Sequence, residues 1–280
     1  MRTLTRSTKT PAPVWASSAE MQVPDPVSPS TTQQSAPRAT AAALPIDSAV
    51  AAANSYTLMQ REYYDTTAHI MNEVNHRHHN ANQDYWDILV ADTEKGYRDR
   101  TGLDFGCGCG RNIQNLWYRF ARMDGVDISP ENLKHANQNI LAEGCPPHRF
   151  GLTAVSGVDL APLSSDKYDF IMSTIVLQHI CVHEIRKQYF HEFFRVMAPG
   201  GLLTLQMGFG DGWGKAEYTD NHYDALGTNS HHDTKVTDPD QLRVDLEAAG
   251  FTDFRYVLRP SFSDGHPFWI FFKARKPALA

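Results

Sequence analysis

The chain has 280 residues, of which 41% are hydrophobic and 21% charged, an ordinary balance for a globular protein able to bury a sizeable core. A formal charge of -6 with no run of lysine or arginine argues against a protein that grips nucleic acid through its phosphates. Four cysteines (Cys107, Cys109, Cys145, Cys181) make no disulfide framework and suit free thiols in a reducing, cytoplasmic setting, and no apolar run reaches the length of a membrane span.

Residues 1–50 are rich in Ser, Thr, Ala and Pro, hold seven of the sixteen prolines, and show no hydrophobic period. Such a segment buries too little apolar surface to offset its ordering entropy, so a disordered tail is expected. No apolar h-region follows the first basic residues, which argues against a secretory signal. Arg2, Arg6 and Lys9, with no acid before Glu20, give the tail some likeness to an organelle transit peptide, but the plain tail is the preferred reading. Residues 51–98 turn helical and polar, rich in His, Asn and Tyr, with a broken apolar stripe. Two or three helices capping a main domain at 99–280 are expected there.

From Arg100 short apolar runs alternate with helical periods. "TGLDF" reads as a buried strand running into the glycine loop "GCGCG", and Ile113, Leu116, Trp117 and Phe120 follow at helical spacing. "MDGVDI" is a second strand ending at Asp127. Ser129 then caps a helix that has Pro130 at its first position and Leu133, Ala136 and Ile140 on one face. "FGLTAV" and "YDFIMST" are further strands. A helix from about Cys181 to Met197 turns its Val182, Ile185, Tyr189, Phe193 and Val196 inward, and "PGG" leads into the strand "LLTLQM". A polar insertion at 208–237 follows. Asp238, Pro239 and Gln241 then open a helix with a capping box, Gly250 lies beyond its end, and apolar runs near 253–258 and 267–274 close the chain. This alternation means an α/β fold with an open, mostly parallel, doubly wound sheet and helices on both faces.

A glycine turn between a buried strand and a helix lets a ligand approach the backbone, at the place where open α/β sheets bind their ligands. The glycines stand at 106, 108 and 110. A dinucleotide fingerprint would need its third glycine at 111, which is Arg111, so a nicotinamide or flavin pyrophosphate fits poorly. A nucleoside with a charged amino-acid tail fits better, with Asp127 for ribose hydroxyls and Asp104 either holding an ammonium or bracing the loop. The CxC pair has a bland reading, because small residues are wanted beside the glycines and Cys packs as a small hydrophobe.

"LDFGCGCGRN", "GVDISPENL", "YDFIMSTIVLQHI" and "FRVMAPGGLLTLQM", in that order, resemble the motif set of class I S-adenosylmethionine-dependent methyltransferases over roughly residues 100–275. The resemblance implies a Rossmann-like sheet of seven strands with a reversed last strand. It also implies S-adenosyl-L-methionine as cofactor and S-adenosyl-L-homocysteine as product. By position it places Asp104, Gly106, Gly108 and Gly110 around the methionine moiety, with Cys107 and Asn112 also binding the cofactor, Asp127 on the ribose and Ile128 on the adenine. Ser156, with the Gly157–Val158 backbone, stands where many relatives carry an Asp for the adenine amino group. Thr174 and Gln178 would close over the sulfonium.

His179 is the leading catalytic candidate, because imidazole titrates near neutral pH and this residue follows the fourth strand at the sheet's carboxyl end. Its bland alternative is a packing or helix-cap histidine. Tyr63, Tyr64, His79, Trp213, Tyr218, His222 and Tyr223 are candidates for the acceptor, since aromatic rings stack on planar substrates or surround a cation. "HRHHN" (76–80), "HICVH" (179–183) and "HH" (231–232) tempt a metal reading, but no carboxylate or thiol completes a set and no metal is expected. The expected function is methyl transfer to an oxygen or nitrogen of a small-molecule metabolite. The alternatives are a protein or peptide methyltransferase and a catalytically silent binding module.

Overall fold

The computed structural model describes residues 46–77, 83–93, 97–211, 215–226, 233–261 and 265–279. Most of the expected tail lies outside the described residues. Helix α1 spans Ile46–Arg77, so its first turn falls within the stretch read from sequence as tail, where the Ala-rich "SAVAAA" favours helix. Helix α2 (Gln83–Leu89) follows, and it buries Trp86, Ile88 and Leu89 against the main domain.

The domain then runs β1 (Thr101–Phe105), α3 (Arg111–Leu116), β2 (Arg122–Asp127), α4 (Pro130–Ala142), β3 (Leu152–Ala154), β4 (Tyr168–Ser173), α5 (His183–Val196) and β5 (Met197–Phe209). Two short strands in the insertion, β6 (Ala216–Glu217) and β7 (Thr234–Lys235), pair in parallel with each other. Helix α6 (Pro239–Ala248) and strands β8 (Thr252–Pro260) and β9 (Phe268–Arg275) complete the fold. The main sheet has the order β3-β2-β1-β4-β5-β9-β8. It is parallel from β3 to β5, with β9 antiparallel to both its neighbours. Chain order reverses between β1 and β4, and that crevice is where a ligand site is expected.

The strands bury both faces. Leu103, Phe105, Ile171 and Leu203 meet Tyr189, Phe193 and Val196 of α5 on one side. Phe170, Met172 and Leu202 meet Ile113, Leu116, Ala136 and Ile140 of α3 and α4 on the other. Helix starts follow the local chemistry. Ser129 Oγ accepts from the Asn132 amide at 3.0 Å to cap α4, and Asp238 with Gln241 forms the expected capping box on α6. Helix α5 begins two residues later than its apolar spacing implies, because Val182 is held extended by bridging to Asn221. Helix α3 is also shorter than its apolar spacing: it gives way to a 3-10 turn at Trp117–Arg119, which carries Phe120 into the core and leaves Trp117 half-buried. No helix among the described residues is long and apolar enough to cross a membrane.

Candidate active site

A cavity of about 670 Å³ opens at the β1/β4 crevice, a size within the usual range for small-molecule sites. The loop after β1 forms its floor. Gly106 has φ +67°, and a Cβ there would stand 2.5 Å from Val176, so glycine is needed both for the turn and for the close approach. Gly110 also has a left-handed φ, +85°, but its free side meets Ile140 and Ala136 of α4. It serves helix packing and does not line the cavity, contrary to the expectation for it. Cys107 lines the cavity and fills the space above Gly125, and Cys109 is buried against Ala68 and Asn132. Burial pushes the Cys107 thiol well above its ordinary range, so both cysteines act as packing.

Asp127 ends β2 and is fixed by three donors: the Gly108 amide at 2.8 Å, the Ser129 amide at 2.9 Å and Asn132 Nδ2 at 3.3 Å. Burial raises its carboxyl above the usual range while those bonds oppose the rise. Ile128 and Gly157 line the same end, and a Cβ on Gly157 would collide with Ile128. Asp104 lies inside β1, beneath the loop. One oxygen accepts from Asn112 Nδ2 at 3.0 Å, and the other is buried without a hydrogen-bond partner. Burial pushes its carboxyl up to about 7. Asn112 also donates to Thr174 Oγ1 at 3.2 Å and accepts from Trp86 Nε1 at 2.9 Å, which joins α2 and α3 to the end of β4.

Beyond β4 the chain kinks at Ile175, a β-branched residue at φ +56°. Its amide donates to Gln206 Oε1 at 2.7 Å, and this bond helps hold the strained turn that presses Val176 against Gly106. His179 follows in a 3-10 turn, lines the cavity, and meets Asp233 through Nδ1 at 2.6 Å. The other Asp233 oxygen stands 3.6 Å from Lys215 and 3.6 Å from the buried His266. Burial would raise the Asp233 carboxyl, yet His179, His266 and Lys215 together hold it well below the usual range. His183 lies one turn beyond His179 but bonds Asp245 at 2.7 Å, so the two histidines serve different carboxylates.

Helix α1 closes the cavity from above. Tyr56, Thr57, Gln60, Tyr64 and Met71 line it, and polar bonds anchor the helix on both sides. Ser129 Oγ donates to Asp65 at 2.5 Å, Gln60 Nε2 donates to the Ala225 carbonyl at 3.2 Å, and the Cys181 amide donates to Tyr56 Oη at 2.9 Å.

Several expected residues lie elsewhere. Tyr63 stands edge-on to Tyr64 but does not line the cavity. Tyr218 is buried away from it, donating to Asp245 at 2.7 Å beneath the Arg186 guanidinium. His222 pairs with Asp220, and Tyr223 reaches the cavity only by backing Tyr56, ring to ring. Gln178 is buried outside the lining. Ser156 is spent on its own turn, accepting from the amides of Val158 and Asp159, and Val158 packs into the core. His79 and Trp213 lie outside the described residues. The site residues missed from sequence include Tyr56, Thr57, Gln60, Met71, Arg111, Asn132, Gln206, Asp233 and His266. Asp233 carried a local signal, adjoining the "HH" pair at 231–232.

Residues 103–201 match the family model described as "Methyltransferase domain". This stretch is a methyltransferase domain, similar to the class I S-adenosylmethionine-dependent methyltransferases. Its sheet order and reversed β9 agree with that family, as does the phosphoethanolamine N-methyltransferase 2 of Haemonchus contortus solved with S-adenosyl-L-methionine. That structure superposes with a TM-score of 0.52 at 18% identity, over 68% of this chain and 51% of that one, a likeness of fold. Among curated proteins, the chain is 33% identical to a trans-aconitate 2-methyltransferase of Variovorax paradoxus over 110 residues, 38% of this chain and 37% of that protein. It is 22% identical to the S-adenosyl-L-methionine-dependent Diels-Alderase iliD of a Neonectria species, over 60% of this chain and 65% of that one. The chain thus spans only part of the length of the curated relatives it matches. The methyltransferase domain's own residues fit the cofactor: a glycine floor without side chains, an acid at the end of β2, and in Asp104 a buried carboxylate oxygen lacking a partner.

Proposed function

We propose that the protein transfers the methyl group of S-adenosylmethionine to a hydroxyl oxygen of a small-molecule metabolite, with His179 as general base. The observation that carries this reading is the His179–Asp233 pair, set at 2.6 Å on the wall of the donor cavity. An ionised carboxylate on Nδ1 favours the tautomer whose lone pair is on Nε2, the nitrogen that would take the acceptor's proton. The bound cofactor supplies a methyl group already activated on a sulfonium, which leaves this chain to align the acceptor, exclude water and take up its proton. Asp127 would hold the ribose hydroxyls, Ile128 would pack on the adenine, and the Gly157 backbone would face its amino edge. Asp104, with Asn112 and Thr174 beside it, would receive the ammonium end.

An amine acceptor that reacts in its neutral form needs no base before transfer, so dependence on His179 separates oxygen from nitrogen acceptors. His179→Gln should lower kcat by about 10²–10⁴-fold and leave S-adenosylhomocysteine affinity unchanged. Asp233→Asn should lower kcat less and shift the acidic limb of the rate profile. Steady-state kinetics with a methyl-labelled donor across pH measures both. Turnover that survives His179→Gln unaltered, or product that carries no label, overturns the reading.

A further inference from the structure

Helix α1 roofs the cavity, with Thr57, Gln60, Tyr64 and Met71 in the lining, yet it is lightly packed. Among the described residues of this 32-residue helix, the only buried hydrophobic side chains are Tyr56 and Ala68. Val50, Leu58 and Ile70 are each at least 50% exposed. Polar bonds hold the helix instead. Arg61 Nη2 donates to the Val155 carbonyl at 3.3 Å, and Asn139 Nδ2 of α4 donates to Asn72 Oδ1 at 2.7 Å. Such bonds exchange for bonds to water at small net cost, so a helix held this way belongs to the readily opened part of a fold.

One bond differs from the rest, because it leads into the site. Asp65 Oδ1 accepts from the Ser129 hydroxyl at 2.5 Å and from the Glu131 amide at 3.3 Å, at the start of α4. The Ser129 hydroxyl in turn accepts from the Asn132 amide at 3.0 Å. The Ser129 amide donates to Asp127 Oδ1 at 2.9 Å, and Asn132 Nδ2 donates to the same oxygen at 3.3 Å. Ser129 and Asn132 are buried, so solvent does not compete for their bonds to Asp127. The Asp65 charge raises the Asp127 carboxyl, against the donors that lower it. Through space, then, Asp65 works against an ionised Asp127; through Ser129, it works for the placement of Asp127. Resting on the reading of Asp127 as the acid that takes the ribose hydroxyls, we propose that Asp65 is a positioning residue. It latches α1 over the bound cofactor and fixes the Ser129–Asn132 turn from which Asp127 is held. Cofactor and product pass when that latch is open.

The two routes predict opposite signs. If only the charge acted, Asp65→Ala would leave S-adenosylhomocysteine affinity unchanged or raise it. As a latch, Asp65→Ala should weaken binding to the full chain at least about tenfold, with faster dissociation making up most of the loss. Asp65→Asn, which keeps an acceptor oxygen, should recover part of it. On a Ser129→Ala background, Asp65→Ala should cost little further, because the route runs through that hydroxyl. Calorimetry and stopped-flow dissociation measure these effects, and thermal melting confirms that each unliganded variant is folded at the assay temperature. Amide hydrogen exchange across residues 57–71 should slow when the parent protein is saturated with S-adenosylhomocysteine. Unchanged or tighter binding by Asp65→Ala overturns the proposal, as does a loss undiminished on the Ser129→Ala background, or exchange in α1 that the ligand does not slow. If Asp127→Asn weakens binding and Asp65→Ala does not, the latch alone fails. If the parent protein does not bind S-adenosylhomocysteine, or Asp127→Asn binds it equally well, the reading of the donor site fails and the latch falls with it.

Discussion

Asp104 has one oxygen bonded to Asn112 and one buried with no hydrogen-bond partner, and burial holds the carboxyl protonated up to about pH 7. In the folded chain ionisation is therefore deferred, while in the unfolded chain it occurs near pH 4. The unfolded state thus binds fewer protons between those values, and Asp104 lowers stability progressively as pH rises from about 4 to about 7. A ligand ammonium held at Asp104, as proposed, would reverse this balance by favouring the ionised form. Affinity for S-adenosylhomocysteine should accordingly rise about tenfold per pH unit up to about pH 7 and flatten above it. It should decline again at the higher pH where the ligand's amino group deprotonates. Titration calorimetry across that range measures the slope, and Asp104→Asn should abolish it. A wild-type affinity independent of pH would show that Asp104 braces the loop and nothing more.

The insertion and α5 are joined by one buried cation. Arg186 is fully buried, donates to the carbonyls of Ile180 and Tyr218 and to Thr234 Oγ1, and lies over the Tyr218 ring. Burial lowers its pKa from the ordinary arginine value. These contacts tie the segment carrying His179 to strand β7, which begins one residue after Asp233, so the proposed catalytic pair depends on an arginine that touches neither member. Arg186→Met should leave two buried carbonyls without this donor, at about 1–3 kcal/mol each. Thermal unfolding should show that loss. S-adenosylhomocysteine affinity should fall little, because Asp127 and the glycine loop belong to other elements. A stable variant with full turnover would show that the insertion holds its place without this link.

Two sets of carboxylates pull the whole molecule in opposite directions with pH. Burial raises both Asp104 and Asp127 at the ligand site. Among the described residues, three other carboxylates, Asp233 behind the cavity wall among them, lie below their ordinary values. Glu192 is held there chiefly by the Arg195 guanidinium. Asp233 and Asp245 are each lowered against burial by a paired histidine. The depressed group stabilises the fold above about pH 4, and that contribution is lost as pH falls. The raised group costs stability as pH climbs toward about 7. The unliganded protein should therefore be most stable in mildly acidic solution. Saturation with S-adenosylhomocysteine should move the maximum toward neutrality, and scanning calorimetry over pH with and without it measures the shift. An unliganded maximum at or above neutral pH would contradict this balance.

Asp104, Gly106, Cys107, Gly108 and Asp127 could be read in sequence because strand, turn and following helix are fixed by neighbours within a few residues. The same locality gave the caps at Ser129 and Asp238. His179 could be placed at the end of the fourth strand, but nothing near it in the chain named its carboxylate, which arrives from 54 residues away. The acceptor wall was harder still. Tyr56, Gln60 and Met71 sit on a helix whose polar composition resembles any exposed cap, and only its docking over the crevice turns those side chains inward. Tyr218 and His222 failed for the converse reason: aromatic residues in a polar insertion look like substrate contacts until burial and their partners Asp245 and Asp220 are seen. The sequence by itself determined a methyl-donor cradle, because its glycines and acids act through short-range backbone geometry. Only the tertiary structure decided which residues complete the cavity wall, because that wall joins α1 to the turn after β4, which are adjacent in space alone.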